Sequence, residues 1–237
     1  MSVYCKYFLT TSPLKSLKII HSLGCSVRRR FYYNDRPYVS FGGVWDINLQ
    51  KVFCKDMQVI FDFLSEKDEK SLVEEAEKLL KRLRYEYDHW DNAIHGYRET
   101  EHLHWNEYNM GILKRVQKTA FHSETQDMKL VHILDLAENG FIKPHVDSIK
   151  FCGNTIAGLS LLSDSVMRLC HTVEKDKVVD VLLKQRSLYI MKGIARYEYT
   201  HEILGSNVPN LMNYTVHKSR RVSVICRSMP EMDFHQR

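Results

Sequence analysis

The stretch Lys143-Pro144-His145-Val146-Asp147-Ser148 constrains this chain more than any other. Two residues apart on extended backbone, His145 and Asp147 send an imidazole and a carboxylate off the same face. Aimed at one point, the two groups can bind a divalent metal. One further histidine would complete a 2-His-1-carboxylate triad, which leaves three positions open on Fe(II). Candidates after Asp147 are His171, His201, His217 and His235. All lie on later segments, so the chain has to bring separate strands side by side to build such a site.

The periodicity after residue 58 supplies those strands. Residues 59–64 form a short apolar run read as a strand. Ser65 then reads as a helix N-cap with an acid three residues later. Leu72, Val73, Ala76, Leu79, Leu80 and Leu83 make one apolar stripe of an amphipathic helix. Ile112, Leu113, Val116 and Ala120 mark a second helix over about 107–121, slightly weakened by Gly111. From Lys129 the period changes to that of strands. Segments 130–136, 141–146, 155–162, 166–173, 178–183, 187–192, 196–203 and 220–228 read as strands. A turn is expected at Asn139-Gly140, and a hairpin around Lys184-Gln185-Arg186. Eight short strands with turn signals between them predict a mainly β, α+β fold, a barrel or jelly roll with two N-terminal helices covering one face. Residues 31–58 show no clear period and read as an irregular lead-in. Residues 85–99 are dense in aromatics, His and charge, and read as a loop suited either to a substrate rim or to a surface turn. That loop holds a second His-x-Asp, His89-Trp90-Asp91.

Among the candidate third ligands, His171 lies only one hairpin beyond Asp147, and His217 sits in a polar loop. His201 ends a strand about four strands later, where an antiparallel fold returns a chain to its start. Taken alone, each histidine reads as an ordinary structural one. The last strand adds weight. Arg221, Ser223, Ile225 and Arg227 share one face, while Val222, Val224 and Cys226 share the other. Two arginines on a strand with apolar flanks need anions, and the planar guanidinium fork suits carboxylates. A dicarboxylate that chelates iron through a keto-acid end would supply both.

His-x-Asp, a distal His and Arg-x5-Arg, in that order, resemble the AlkB-homologue family of Fe(II)/2-oxoglutarate-dependent dioxygenases. Segments 84–91, 94–96, 98–101, 142–153, 155–163, 187–190 and 223–228 look like signatures of a mitochondrial subtype of it. The resemblance runs from about residue 63 to 230. It implies a double-stranded β-helix with Fe(II) held by His145, Asp147 and His201. It implies Arg221 on the far carboxylate of 2-oxoglutarate and Arg227 near the metal-side carboxylate. Tyr189 would either hydrogen-bond the cosubstrate or serve as a core aromatic, and Ser223 would be a weaker contact. Nucleic-acid-repairing relatives use an Asn and a Tyr on the strand before His-x-Asp. Here that strand reads Leu134-Asp135-Leu136, so this part of the pattern is missing. The implied reaction couples O2 and decarboxylation of 2-oxoglutarate to oxidation of a second substrate. For the subtype, a protein side chain and roles in regulated necrosis and fatty-acid metabolism are implied. The other readings are an oxidative demethylase of mitochondrial RNA, with Tyr85, Tyr87, Trp90 and Tyr97 stacking on a base, and a non-catalytic scaffold.

The first thirty residues carry six basic and no acidic side chains, many hydroxyls, and apolar residues that could line one helical face. That composition predicts a mitochondrial transit peptide and delivery to the matrix. The full chain holds 34 Lys+Arg against 29 Asp+Glu; without residues 1–30 the balance is 28 against 29. The basic excess therefore belongs to the leader and argues little for a nucleic-acid surface. The dioxygenase domain is placed at 59–230, with a tail at 231–237. Six scattered cysteines form no Cys-x-x-Cys pair and read as reduced thiols. No apolar run is long enough to span a bilayer.

Overall fold

The computed structural model describes residues 37–87, 93–121, 130–205, 208–211 and 214–230. The segment expected to be a transit peptide, His89-Trp90-Asp91, His235 and the 231–237 tail fall outside them. In chain order the elements are β1 (Val39–Gly42), α1 (Ile47–Asp56), β2 (Met57–Ile60), α2 (Glu66–Leu80), β3 (Ile94–His102), α3 (Glu107–Ala120), β4 (Val131–His145), β5 (Thr155–Leu161), β6 (Ser165–His171), β7 (Val178–Leu183), β8 (Leu188–Lys192), α4 (Gly193–Tyr197), β9 (Tyr199–Ile203), β10 (Val208–Leu211), β11 (Tyr214–Val216) and β12 (Arg221–Arg227).

The strands form one antiparallel ladder in the order β1-β7-β6-β9-β4-β12-β5-β8-β2, with β3 added beside β4 and a separate β10–β11 pair. The sheet curls, because residues from strands far apart in this order share one core. Phe41, Leu169, Val179, Val181 and Tyr199 bury with Leu134, Leu136, Ile156, Tyr189, Met191 and Ile225. The opposite faces of β4, β5, β8 and β12 carry Ile133, Leu159, Ile190, Val222 and Val224. These form a second cluster with Leu72, Ala76 and Leu80 of α2 and Ile112, Leu113 and Val116 of α3. The two clusters are the two sides of strands whose alternate residues point opposite ways. No helix among the described residues is long and apolar enough to cross a membrane. Cys54, Cys152, Cys170 and Cys226 form no disulfide with one another.

Ser65 caps α2 as its composition predicts. Its hydroxyl accepts from the Asp68 N–H and the Asp68 carboxylate accepts from the Ser65 N–H. Leu83 lies past the end of α2 and is exposed.

Five expectations are corrected. The supposed irregular lead-in contains β1 and α1, the helix capped by Asp46 through the N–H groups of Asn48 and Leu49. Its aromatic residues are core: Phe41, Trp45 and Phe53 pack edge to face with one another, and Phe53 does so with Tyr199. The run expected over 59–64 is β2, shifted toward Met57. Residues 94–99, read as loop, belong to β3, an edge strand whose polar residues pair along β4. Segments β7 and β8 are not a hairpin. β7 pairs with β6 and β1, and β8 with β5 and β2, so Lys184-Gln185-Arg186 crosses between the two layers. At Asn139-Gly140 the chain does not reverse either. Four residues, 137–140, bulge out of β4 opposite Gly96, and the strand continues to His145.

Candidate metal and cosubstrate site

Extension of β4 through the bulge delivers His145 to the strand's end, with Asp147 two residues beyond. β9 runs antiparallel to β4, and its His201 stands directly across from His145. The ring centroids are 4.3 Å apart. His145 Nε2 lies 3.1 Å from Asp147 Oδ1, and His201 Nε2 lies 3.5 Å from the same oxygen. One ligand atom from each of His145, Asp147 and His201 falls within 4.8 Å of the others, so the three could hold a metal ion.

The donor chemistry fits such an ion. His145 Nδ1 lies 2.9 Å from the Lys143 carbonyl oxygen, which can only accept, so Nδ1 carries a proton and donates. The Nε2 lone pair then points at a carboxylate oxygen. A positive charge, proton or metal, must sit between them. The Lys143 contact is also what orients a metal-ligating imidazole. Burial alone would push the Asp147 carboxyl up, but the His145 hydrogen bond, the charge that His201 takes on at low pH and the charge of Arg227 outweigh it. The carboxyl is held far below its usual range. Burial holds His201 down to about 4, against the pull of Asp147, so its ring is neutral and available to a metal at physiological pH.

The other predicted residues converge on the same pocket. His145, Asp147, Tyr189, His201, Arg221, Ser223 and Arg227 all line it. On β12 the alternation is as expected: Arg221, Ser223, Ile225 and Arg227 face the pocket, and Val222, Val224 and Cys226 face α2 and α3. Arg227 reaches the metal end, its Nε 3.5 Å from Asp147 Oδ2. Arg221 is 2 % exposed and donates to the hydroxyls of Ser160 and Ser223. Tyr189 is buried, and Gly158 on neighbouring β5 makes room for it. A Cβ at Gly158 would stand 2.3 Å from the Tyr189 ring.

Of the alternative histidines, His171 turns away to Glu198 and Tyr199, and His217 is exposed. Two participants escaped the sequence reading. His132, on the inner face of β4, lines the pocket and lies 3.2 Å from Arg227. Glu99 on β3 lies 2.8 Å behind it. A lone histidine in an apolar strand carries no distinguishing pattern; only its even-numbered register with Leu134 and Leu136 points it inward. The rest of the lining is largely aliphatic, including Ile94, Leu134, Ile142, Met167, Met191 and Ile203.

No family model matches the chain. Among curated proteins, the mouse alpha-ketoglutarate-dependent dioxygenase alkB homolog 7, mitochondrial, is 53% identical over 169 residues, 71% of this chain and 76% of the mouse protein. The bovine protein of the same name is 55% identical over 169 residues, with the same coverage. A solved structure, that of OsALKBH1, superposes with a TM-score of 0.55 at 11% identity, covering 73% of this chain and 97% of its own, which is a likeness of fold. Alpha-ketoglutarate is 2-oxoglutarate, the keto diacid that two arginines beside a metal triad would suit. With that site assembled, and with more than half of the 169 aligned residues identical in each of two relatives, the chain belongs to the alkB homolog 7 family of 2-oxoglutarate-dependent dioxygenases.

Proposed function

We propose that this protein is a mitochondrial Fe(II)/2-oxoglutarate dioxygenase whose prime substrate is an aliphatic protein side chain. The observation that carries the site assignment is the convergence of His145, Asp147, His201, Tyr189, Arg221, Ser223 and Arg227 on one pocket. His145, Asp147 and His201 would hold Fe(II), which supplies the redox chemistry that couples loss of CO2 from 2-oxoglutarate to oxidation of the substrate with O2. The chain's own part is to bind, orient and keep dry. Arg221, fixed by the Ser160 and Ser223 hydroxyls, grips the far carboxylate. Arg227 addresses the carboxylate nearest Asp147, and the Tyr189 phenol donates to the cosubstrate between them. The aliphatic lining excludes water and favours an aliphatic group over a stacked base. Among the described lining residues Tyr189 is the one aromatic other than histidine. The near-neutral charge after residue 30 supports the same preference against RNA.

The fold is read as a double-stranded β-helix with α2 and α3 on its outer face, the domain running to residue 230. The leader in residues 1–30 and the word "mitochondrial" in the relatives' names support matrix delivery. Roles in regulated necrosis and fatty-acid metabolism belong to this reading as expectations of the family.

The test is an anaerobic titration with Fe(II), then 2-oxoglutarate, following the visible metal-to-ligand charge-transfer band. The wild type is expected to develop the band, and Asp147→Ala and His201→Ala to stay folded and lose it. A band of full intensity in either variant removes that residue from the triad. No band in the folded wild type defeats the assignment.

A further inference from the structure

The environment of Arg227 extends beyond the pocket. A guanidinium has five N–H donors and no acceptor, so the 3.2 Å contact from Arg227 Nη1 to His132 Nδ1 requires that Nδ1 present its lone pair. The His132 proton is then on Nε2, which lies 2.8 Å from the Glu99 carboxylate and donates to it. One tautomer of one ring satisfies both neighbours. The result is a continuous chain from Glu99 on β3, through His132 on β4 and Arg227 at the end of β12, to Asp147 at the metal triad. Three strands each contribute one member. β12 and β3 flank β4 on its two edges, so the chain crosses the sheet transversely.

We propose that Glu99 and His132 are a positioning pair that sets the plane of Arg227 at the metal end of the pocket, and thereby the cosubstrate's inner carboxylate. The inference rests on the reading of that pocket as a 2-oxoglutarate site. Arg227 is a long, flexible side chain, partly exposed, and bidentate recognition depends on where its fork points. Contact to His132 at Nη1 and to Asp147 at Nε fixes two corners of the planar group. The remaining N–H groups are left to a carboxylate. Glu99 does not line the pocket, so its influence on the cosubstrate has to pass through His132. As a partly exposed pair, Glu99–His132 adds little to stability on its own. Its weight lies in orientation, the role that outer-shell partners play at metal sites.

The experiment is the anaerobic 2-oxoglutarate titration on the Fe(II)-loaded full chain, comparing wild type, Glu99→Ala, Glu99→Gln, Arg227→Lys and the Glu99→Ala/Arg227→Lys double variant. Fe(II) affinity is measured alongside. Glu99→Ala is expected to weaken 2-oxoglutarate about tenfold, the lower end of outer-shell effects, with Fe(II) affinity unchanged. Glu99→Gln should restore most of the loss, because its amide oxygen still accepts from Nε2–H. In the Arg227→Lys background Glu99→Ala should cost nothing more, since residues acting through one another are not additive. Unchanged 2-oxoglutarate affinity in Glu99→Ala, an equal loss of Fe(II) and 2-oxoglutarate, or full additivity with Arg227→Lys each overturns the pair. If the wild type itself gives no band, the pocket assignment fails, and this inference with it.

Discussion

Arg221 is a cation kept in a pocket that offers it hydroxyls. Among the described residues its guanidinium hydrogen-bonds only to Ser160 and Ser223. Burial pushes it down to about 10, partly offset by Tyr189. Such a group costs folding free energy until an anion arrives. Replacing it with an apolar residue of similar length, Arg221→Met, should therefore raise the melting temperature without cosubstrate, by about 2–4 °C per kcal/mol relieved in a chain of this size. The same substitution should abolish the further rise that 2-oxoglutarate gives the wild type. Differential scanning calorimetry with and without the diacid checks both; a lower melting temperature with cosubstrate stabilisation intact would show that Arg221 is structural. This residue, with Arg227, was legible in the sequence because a strand's period of two puts 221, 223, 225 and 227 on one face. His145, Asp147 and His201 were legible for the same reason plus antiparallel return. Glu99 was not. Its partner His132 lies 33 residues away, and nothing local to either residue marks the pairing.

At the level of elements, β4 matters most, because it reaches His145 only by bulging at 137–140. Gly140 lies so close to Gly96 that a Cβ there would stand 2.4 Å from the Gly96 carbonyl oxygen, and Gly96 itself has φ of 65°. The bulge leaves carbonyls without ladder partners. Lys218 supplies donors: its ammonium is 2.9 Å from the Ala137 oxygen and 2.7 Å from that of Glu138. Burial, together with Arg221, pushes Lys218 down to about 8. Its folded value is thus below its unfolded one, so between about pH 8 and the ordinary lysine range the unfolded chain binds more protons. Stability from this group rises with pH across that window. The urea midpoint of the wild type should therefore gain on that of Lys218→Met between pH 7.5 and 9.5, and a difference that stays flat would contradict the buried environment. Asn139-Gly140 has the composition of a turn, and composition does not separate a reversal from a bulge. Lys184-Gln185-Arg186 misleads likewise: a tight connection between two apolar strands reads as a hairpin whether the strands pair or part into opposite layers. Only the partner strands β1, β2, β5 and β6 decide that case.

Across the whole molecule, the proposed metal triad is a clasp between segments far apart in sequence. His145 and Asp147 close β4, while His201 arrives on β9 after β5, β6, β7, β8 and α4. In the unfolded chain these ligands are not assembled, so a divalent ion binds the native state selectively and stabilises it by mass action, by about 2.7 kcal/mol at a hundredfold excess over its dissociation constant. Anaerobic Fe(II), or Mn(II) as a redox-inert substitute, should raise the melting temperature, and excess chelator should reverse the rise. 2-Oxoglutarate should add its own increment only when metal is present, because in the proposed binding mode its inner end needs the ion while Arg221 holds the outer one. In Asp147→Ala the metal increment should vanish with the metal-free melting temperature preserved. A chelator-insensitive wild type would separate the fold from the metal altogether and leave the pocket a cradle for the diacid alone.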